Sequence, residues 1–458
     1  MHIGNLKAAL FGYLLAKSSG GAFVLRIEDT DQGRIVDGAV DAIYNTLKAA
    51  GITHDEGPDI GGPYAPYMQS HRKDGYMQYA EELVAQKKAY RCFCSKERLE
   101  GLGGSYDRHC LSLPDDDIEA KLAANAPHVI RQLIPEGRTA FKDEVFGEIA
   151  IDNKEIEDQV LIKSDGMPTY NFANVIDDHL MAITHVMRGS EYLTSTPKYN
   201  LLYTALGWDI PTYIHLPLVL NAAGEKMSKR KGDASFEDLL NLGYLPSAIV
   251  NYIVLLGFTP PDNKEIFTLQ ELVEVFNIAG MSKSPAIFDM SKLSWVNSEH
   301  IKAMPAATFF ELAAPYLDKA VINKNIDKKA LAAMVQGRVS TLNDIYEQLD
   351  FIDNLPEYDI ELYNHKKMKS SPDTARAVLS ELAPKLIGFA QWDNDALYAF
   401  LTDFAKGKEL KPSSVLWPLR VAISGKAATP GGATELMALL GKDEALRRIE
   451  LATRMLNN

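Results

Sequence analysis

Two short peptides carry the residue types that phosphate chemistry needs. Lys226-Met227-Ser228-Lys229-Arg230 is a basic loop with two lysines three positions apart, and His2-Ile3-Gly4-Asn5 puts a histidine and a glycine at the opening of an amphipathic helix. A helix opening offers backbone N–H groups and the positive end of the macrodipole to an anion. Gly4 has no side chain to hold a nucleotide off the backbone. Lysine ammonium groups are mobile point charges that can follow a developing pyrophosphate. Singly, the loop reads as a surface lysine cluster and His2 as the cap of a core helix. Together they fit a nucleoside triphosphate held between the halves of a parallel sheet. A third grouping, Cys92-x-Cys94 with Cys110 in a nearby loop, supplies three soft ligands for tetrahedral zinc. Its plainer reading is three small buried residues without metal.

The elements that position these residues follow from periodicity. Ile3, Leu6, Leu10, Phe11 and Leu14 recur at helical spacing, so a helix is expected over Gly4 to Ser18, stopped by Gly20-Gly21. The same spacing separates the run Ala8 to Ala16 from a signal peptide. Ala22 to Ile27 reads as a strand, and Val36, Ala39, Val40, Ile43 and Leu47 as a helix ended by Gly51. Such alternation predicts a parallel α/β sheet, with ligands at the carboxyl ends of strands. Glu28-Asp29-Thr30-Asp31 lies at such an end, so its acids are expected to face a cleft. Tyr76 to Met167 interrupts the pattern, holds all three cysteines and has a polar, strand-like second half. The sheet resumes with strand Leu180 to Met187, helix Pro197 to Leu206 and strand Tyr213 to Leu220. From Thr268 onward the chain reads as helices, among them Phe309 to Tyr316, Lys329 to Val339, Asp373 to Leu386, Asp393 to Phe404 and Glu444 to Met455.

A chain of 458 residues exceeds one hydrophobic core and is expected to hold about three domains. Its 46% hydrophobic and 24% charged residues suit a soluble globular protein. Three cysteines exclude a disulfide framework and suit a reducing cytosol. No run approaches the ~20 apolar residues of a membrane span. The net charge of −13 does not exclude an RNA partner, because one local basic face can steer RNA. Lys226 to Lys231, His365 to Lys369 and Lys406 to Lys411 are the candidate stretches, the last two being better read as solvated faces.

The two opening peptides resemble the HIGH and KMSKS motifs of class I aminoacyl-tRNA synthetases. The match narrows to the bacterial glutamyl-tRNA synthetases through Arg26-Ile27-Glu28-Asp29-Thr30-Asp31, Pro168 to His179, Arg188-Gly189-Ser190-Glu191, Glu225 to Asp233 and Lys292 to Asn297, in the family's order. The C-terminal third is less familiar, apart from Pro418 to Ala422 and Leu439 to Lys442.

That resemblance implies a Rossmann-type parallel-sheet catalytic domain split between 1–75 and 168–219, and an α+β acceptor-stem and zinc-binding insertion at 76–167. It further implies a stem-contact domain with the basic loop at 220–303 and an all-α anticodon-binding region at 304–458. His2, Gly4, Lys226, Met227, Ser228, Lys229 and Arg230 would bind ATP, with Lys226, Lys229 and His2 serving catalysis and Mg2+ accompanying the nucleotide. Glu28 would take the ammonium of L-glutamate, Tyr170 and Asn174 would add neutral hydrogen bonds, and Arg188 would face the side-chain carboxylate. A guanidinium has donors only, so a glutamine amide NH2 there would meet a donor without a partner. The plainer reading pairs Arg188 with Glu191 or Asp178.

Many family members have a Cys-x-His pair where this chain has Cys110 and Ser112, so that zinc pattern fails. The spacing instead is similar to that of the glutamyl-queuosine tRNA(Asp) synthetases, which makes Tyr106 the fourth ligand of Zn2+ beside Cys92, Cys94 and Cys110. His109 competes for the place. The implied protein is a cytoplasmic monomer acting on tRNA(Glu), with tRNA(Gln) left open as a second acceptor. Its rivals are a glutamyl-queuosine tRNA(Asp) synthetase, normally without the helical C-terminal region, and a truncated non-catalytic tRNA-binding paralogue. The family begins with a strand and loop before its HIGH-type motif. This sequence starts one residue before His2, which points to a late-assigned start or a truncation.

Overall fold

The computed structural model of the protein describes residues 1–31, 33, 38–227 and 234–457. They form two compact units, Met1–Leu239 with Pro246–Met290, and Leu240–Leu245 with Ser291–Asn458. The predicted beginning of the second helix at Val36, and Ser228, Lys229 and Arg230 of the basic loop, lie outside the described residues.

The first unit begins with α1 (Ile3–Ser18). Ile3, Leu6, Leu10, Phe11 and Leu14 are all fully buried along one face, each worth about 1.5–3 kcal/mol on burial. Phe11 meets Phe276 edge-on at 5.8 Å. Lys7 shares the buried face, where its ammonium donates to the carbonyls of Pro217 at 2.8 Å and Leu256 at 3.2 Å. Burial without water lowers its pKa to about 8. Gly20, at φ +69°, lets the chain reverse where α1 ends.

Then come α2 (Ala39–Ala49), α3 (Lys73–Ala85), β1 (Ala89–Cys92), α4 (Lys96–Gly101), α5 (Asp115–Ala123), β2 (Val129–Gln132), β3 (Arg138–Asp143), β4 (Gly147–Asp152) and β5 (Val160–Ile162). After these follow α6 (Tyr170–Leu180), β6 (His185–Gly189), α7 (Thr196–Leu206), β7 (Thr212–Leu216), β8 (Val219–Leu220), α8 (Phe236–Asn241), α9 (Pro246–Leu255), α10 (Leu269–Val275) and β9 (Ala286–Ile287). One antiparallel sheet has the order β1-β2-β5, and a mixed sheet has the order β4-β3-β7-β6, with β6 and β7 parallel and in register from His185↔Thr212 to Gly189↔Leu216. The predicted interruption therefore is α+β. It also shares a core with its surroundings, because Tyr76, Ala80 and Leu83 of α3 pack with Ile130, Leu161, Phe172, Val175, Tyr199 and Leu202.

Several expected boundaries move. Ala22 to Ile27 is extended but makes only isolated parallel bridges, Val24 to Glu56 and Ile27 to Met68. Its N–H groups at Leu25 and Ile27 donate to Glu56 and Tyr67, while the segment also lines a cavity shared with β6. Leu180 ends α6 instead of opening a strand, and the left-handed Ala182 (φ +52°) delays β6 to His185. The single strand expected over Tyr213 to Leu220 is broken between β7 and β8 at Pro217, which has no N–H for a ladder. Past Thr268 the chain is not wholly helical, since β9 pairs in parallel with β8.

The second unit is built from α11 (Met290–Ala303), α12 (Ala306–Ala320), α13 (Lys328–Gln336), α14 (Asp344–Leu349), α15 (Pro372–Ile387), α16 (Asn394–Gly407), α17 (Ser413–Ser424), α18 (Ala433–Leu440) and α19 (Lys442–Asn457). The five helices expected beyond residue 304 are all present. Their core includes a fully buried guanidinium, Arg448 of α19. It donates to the carbonyls of Phe351 at 2.8 Å, Ile423 at 2.6 Å and Ile352 at 2.7 Å, and to Glu444 at 2.6 Å. One side chain thus satisfies carbonyls beyond α14 and near the end of α17, where helices leave acceptors without partners. Arg448→Met should therefore lower unfolding stability by roughly 3 kcal/mol or more, read as a lower urea midpoint with far-UV dichroism; an unchanged midpoint would show that the carbonyls find water instead.

Candidate functional site

Two adjacent carboxylates on α6 organise the cleft. Asp177 is fully buried and accepts from Arg72 Nε at 2.6 Å, Gln69 Nε2 at 3.0 Å and Tyr76 Oη at 2.7 Å. Asp178 takes Arg26 Nη1 at 2.8 Å, and Arg26 Nη2 reaches Glu28 at 3.1 Å. Burial opposes the charge of Arg26, but Asp178, Glu28 and Asp177 together raise its pKa further. Glu28 lines the cleft and keeps 30% of its side chain open. Burial raises its carboxyl above the ordinary range, and Arg26 opposes that shift.

Arg26, Glu28 and Asp178 help wall a cavity of about 580 Å³ between α1, the 22–26 segment, α6 and β6. Glu28, Tyr170, Asn174 and Arg188 all line it, so the four residues expected to hold an amino acid converge on one space. Tyr170 opens α6, and burial pushes its phenol upward. Asn174 is nearly buried, its Oδ1 accepting from Gln69 Nε2 at 3.2 Å. The hydroxyls of Tyr203 and Tyr213 are buried on the same wall without a protein hydrogen-bond partner, where a polar ligand would satisfy them. Of the acidic run at the end of the 22–27 segment, Glu28 meets the cavity, whereas Asp29 accepts the Ser70 N–H at 2.8 Å.

Arg188 is not paired in the way its plainer reading suggests. Asp178 is engaged by Arg26, and Glu191 by Lys226 at 2.7 Å. Arg188 instead donates to His215 Nε2 at 3.2 Å and Thr196 Oγ1 at 2.9 Å. Its guanidinium lies 4.6 Å from the ring centre of Tyr199, 5.2 Å from that of Tyr192 and 5.4 Å from that of Tyr213. Neither His215 nor Asp143 behind it was expected from the sequence. The one available signal was a histidine inside the apolar strand Tyr213-Ile214-His215-Leu216.

The phosphate-type residues sit apart from this lining. His2 caps α1, and its Nδ1 accepts the Gly4 N–H at 3.0 Å. The sequence offered that N–H to an anion; here the cap satisfies it. Phe236 N–H donates to Met1 O at 3.1 Å, so the segment following the basic loop meets the start of α1. Lys226 pairs with Glu191 and is 56% exposed, while Met227 is buried.

Cys92, Cys94 and Cys110 bring their sulfurs within 4.8 Å of one another. Tyr106 Oη lies 3.2 Å from Cys92 Sγ and 3.6 Å from Cys94 Sγ, and Cys94 Sγ lies 3.4 Å from Cys110 Sγ. Tetrahedral zinc with bonds of about 2.3 Å has sulfur–sulfur edges of about 3.8 Å. The donors are therefore close to the size zinc requires. His109 is exposed and falls outside this group.

With this geometry in place, residues 1–295 match the family model for tRNA synthetases class I (E and Q), catalytic domain. Residues 308–453 match an anticodon binding domain. The fold is thus a class I catalytic domain with a Rossmann-like sheet and a helical anticodon-binding domain, and the protein is an aminoacyl-tRNA synthetase. A glutamate–tRNA ligase of Clostridium kluyveri is 52% identical, over 100% of this chain and 96% of its own length, and one of Clostridium botulinum is 51% identical, over 98% and 95%. A solved glutamate tRNA ligase of Elizabethkingia meningosepticum, in complex with its amino acid, is 34% identical at a TM-score of 0.88, covering 100% of this chain and 97% of that one. The chain belongs to the glutamate–tRNA ligase family. The anticodon-domain match disfavours the glutamyl-queuosine reading, whose enzymes normally lack that region.

Asp177 gives a test of the cleft's framework. Asp177→Ala leaves Arg72 without its carboxylate and the buried Tyr76 hydroxyl without its acceptor, a loss expected to cost about 3–5 kcal/mol. Thermal unfolding should fall sharply; a variant as stable as the parent would show that the two segments are held without this carboxylate.

Proposed function

We propose that this protein ligates L-glutamate to tRNA(Glu) at the expense of ATP. The glutamate α-carboxylate attacks the α-phosphorus, the bond to pyrophosphate breaks, and glutamyl-adenylate forms. The 2′-hydroxyl of the terminal adenosine then takes the acyl group and AMP leaves. No side-chain nucleophile is required; positioning and charge stabilisation carry the rate. The observation that supports this reading best is the convergence of Glu28, Tyr170, Asn174 and Arg188 on one cavity. Glu28 takes the ammonium, Tyr170 and Asn174 the neutral contacts, and Arg188 the side-chain carboxylate.

ATP, with Mg2+, binds at His2, Gly4 and the basic loop Lys226 to Arg230, where Lys226 and Lys229 stabilise the departing pyrophosphate. Lys226 must leave Glu191 to do so. That pair is substantially exposed on both sides, so opening it costs no more than ~1 kcal/mol. Segments 1–75 and 168–219 act as the catalytic domain, 76–167 as the acceptor-stem insertion, 220–303 as the stem-contact domain and 304–458 as the anticodon region. The protein works as a monomer in the cytoplasm. No helix among the described residues is long and apolar enough to cross a membrane.

Zinc is held by Cys92, Cys94, Cys110 and Tyr106, where it staples β1 to the 106–110 loop. Tyr106 is favoured over His109 because its oxygen already lies beside two of the three sulfurs.

Two measurements test these assignments. Arg188→Ala should raise the glutamate KM by about 100-fold in aminoacylation, since a desolvated carboxylate loses a charge-assisted contact worth ~3 kcal/mol. The ATP KM should stay near the parent value; an unmoved glutamate KM would put the carboxylate elsewhere. Elemental analysis of untagged protein should find about one zinc per chain, lost in Cys110→Ser. Tyr106→Phe should weaken retention under a chelator and His109→Ala should not; the reverse order would make His109 the ligand.

A further inference from the structure

Behind Arg188 runs a buried chain of polar groups that the proposed reaction does not use. Arg188 and His215 are register partners on the parallel strands β6 and β7. His215 and Asp143 are both fully buried, with Nδ1 and Oδ2 2.7 Å apart. Asp143 ends β3, and its carboxylate accepts three backbone N–H groups as well, from His215 at 3.0 Å, Val145 at 3.0 Å and Phe146 at 2.7 Å. Burial alone would raise its pKa, but the His215 bond and these N–H groups outweigh that and lower it. Asp143 is therefore an acceptor with no proton to give. The shared proton must sit on His215 Nδ1. Burial, aided by the neighbouring Arg188 charge, keeps the imidazole neutral. Its Nε2 then carries a lone pair, aimed at Arg188 Nε–H.

The consequence falls on the guanidinium. Of its five N–H bonds, one on Nε goes to His215 and one on Nη2 goes to Thr196. Thr196 Oγ1 in turn donates to Tyr192 O at 2.9 Å, which fixes it as the acceptor. Three N–H bonds remain on a residue that lines the cavity, with the Tyr199 hydroxyl beside the guanidinium. The rings of Tyr192, Tyr199 and Tyr213 limit how the plane can swing.

We propose that Asp143 and His215 are positioning residues for amino-acid selection: Asp143 fixes the Nδ1–H tautomer of His215, and His215 Nε2 holds Arg188 by its Nε edge so that its remaining donors meet the substrate's side-chain carboxylate. The inference rests on Arg188 being the carboxylate partner. It makes a segment of the insertion, through Asp143, a determinant of which amino acid the sheet accepts. The tautomer matters because an Nε2–H would set donor against donor, and a mispositioned guanidinium loses the bidentate geometry that separates a carboxylate from an amide.

The two amide replacements of His215 separate this role from a merely structural one. An asparagine amide replaces Nδ1 and can still donate to Asp143, but it offers Arg188 nothing. A glutamine Oε1 replaces Nε2 as acceptor and gives up the Asp143 bond. In aminoacylation by the full-length enzyme, His215→Asn should raise the glutamate KM by about 10-fold, as expected for one lost positioning hydrogen bond, and His215→Gln by no more than about 3-fold. The ATP KM should hold in both, and the preference for glutamate over glutamine should shrink in His215→Asn. Long-range ¹H–¹⁵N spectra of the histidine-labelled parent at neutral pH should show one buried neutral ring of the Nδ1–H tautomer that disappears in either variant. An Nε2–H tautomer or an imidazolium in the parent overturns the proposal even if neither variant folds. So does an Asn variant whose glutamate KM is unchanged, or whose glutamate and ATP KM values rise together, while Arg188→Ala still raises the glutamate KM. If Arg188→Ala itself leaves the glutamate KM unmoved, the carboxylate assignment falls first and the positioning role falls with it.

Discussion

Asp177 and Asp178 are neighbours in sequence on a helix buried against the core, and neither carboxylate can be left alone there. The two project in different directions, so each needs its own cation. Arg72 comes to Asp177 from the segment leading into α3, and Arg26 comes to Asp178 from the extended segment after α1. Satisfying two charges thus fixes three pieces of chain relative to one another. The helix so fixed carries Tyr170 and Asn174 to the cavity wall. The guanidinium that answers Asp178 also holds Glu28 in place. Coulomb attraction among these groups ties the cavity wall together, and the buried packing of α3, α6 and α7 backs it.

The same economy recurs around Arg188. In the role proposed for it, this guanidinium cannot be free to rotate, because long side chains lose considerable entropy when fixed at the moment of binding. Arg188 is already held in the structure. Two hydrogen bonds fix one edge, and three tyrosine rings surround the plane. Every polar atom along Arg188, His215 and Asp143 that serves this arrangement has a partner, which is the condition under which a buried polar network specifies geometry. In the helical unit Arg448 plays a quieter version of the part. It gathers carbonyls from two separate stretches of chain that no backbone donor reaches.

Much of this was legible in the sequence where the governing interaction is local. The apolar stripe of α1 needed only helical period, and all five of its expected residues are buried. The helices past residue 304 were legible for the same reason. Boundaries failed where a single backbone feature decided them: the left-handed Ala182, the missing N–H of Pro217, and an extended segment with too few ladder bonds to register as a strand. The four amino-acid-binding candidates came from ordered motifs, and sequence order alone said nothing of their convergence on one cavity. The basic loop was the plainest motif of all, yet Ser228, Lys229 and Arg230 lie outside the described residues.

The sequence by itself determined which residue types were available and in what order: a donor-only guanidinium at 188, acids at 28, 177 and 178, three thiols within nineteen positions and a run of amphipathic helices. Those properties are chemical and local, so they survive without coordinates. Tertiary structure alone decided partnership. Arg188 had two plausible acidic partners by proximity in sequence, Glu191 and Asp178, and it has neither, because each is closer in space to another cation. Its actual neighbours, His215 and Thr196, belong to β7 and α7, and the residue behind His215 lies 72 positions away along the chain. A charge inside a protein takes the partner that the sheet brings within about 3 Å, and which partner that is depends on strand register, which no single segment encodes.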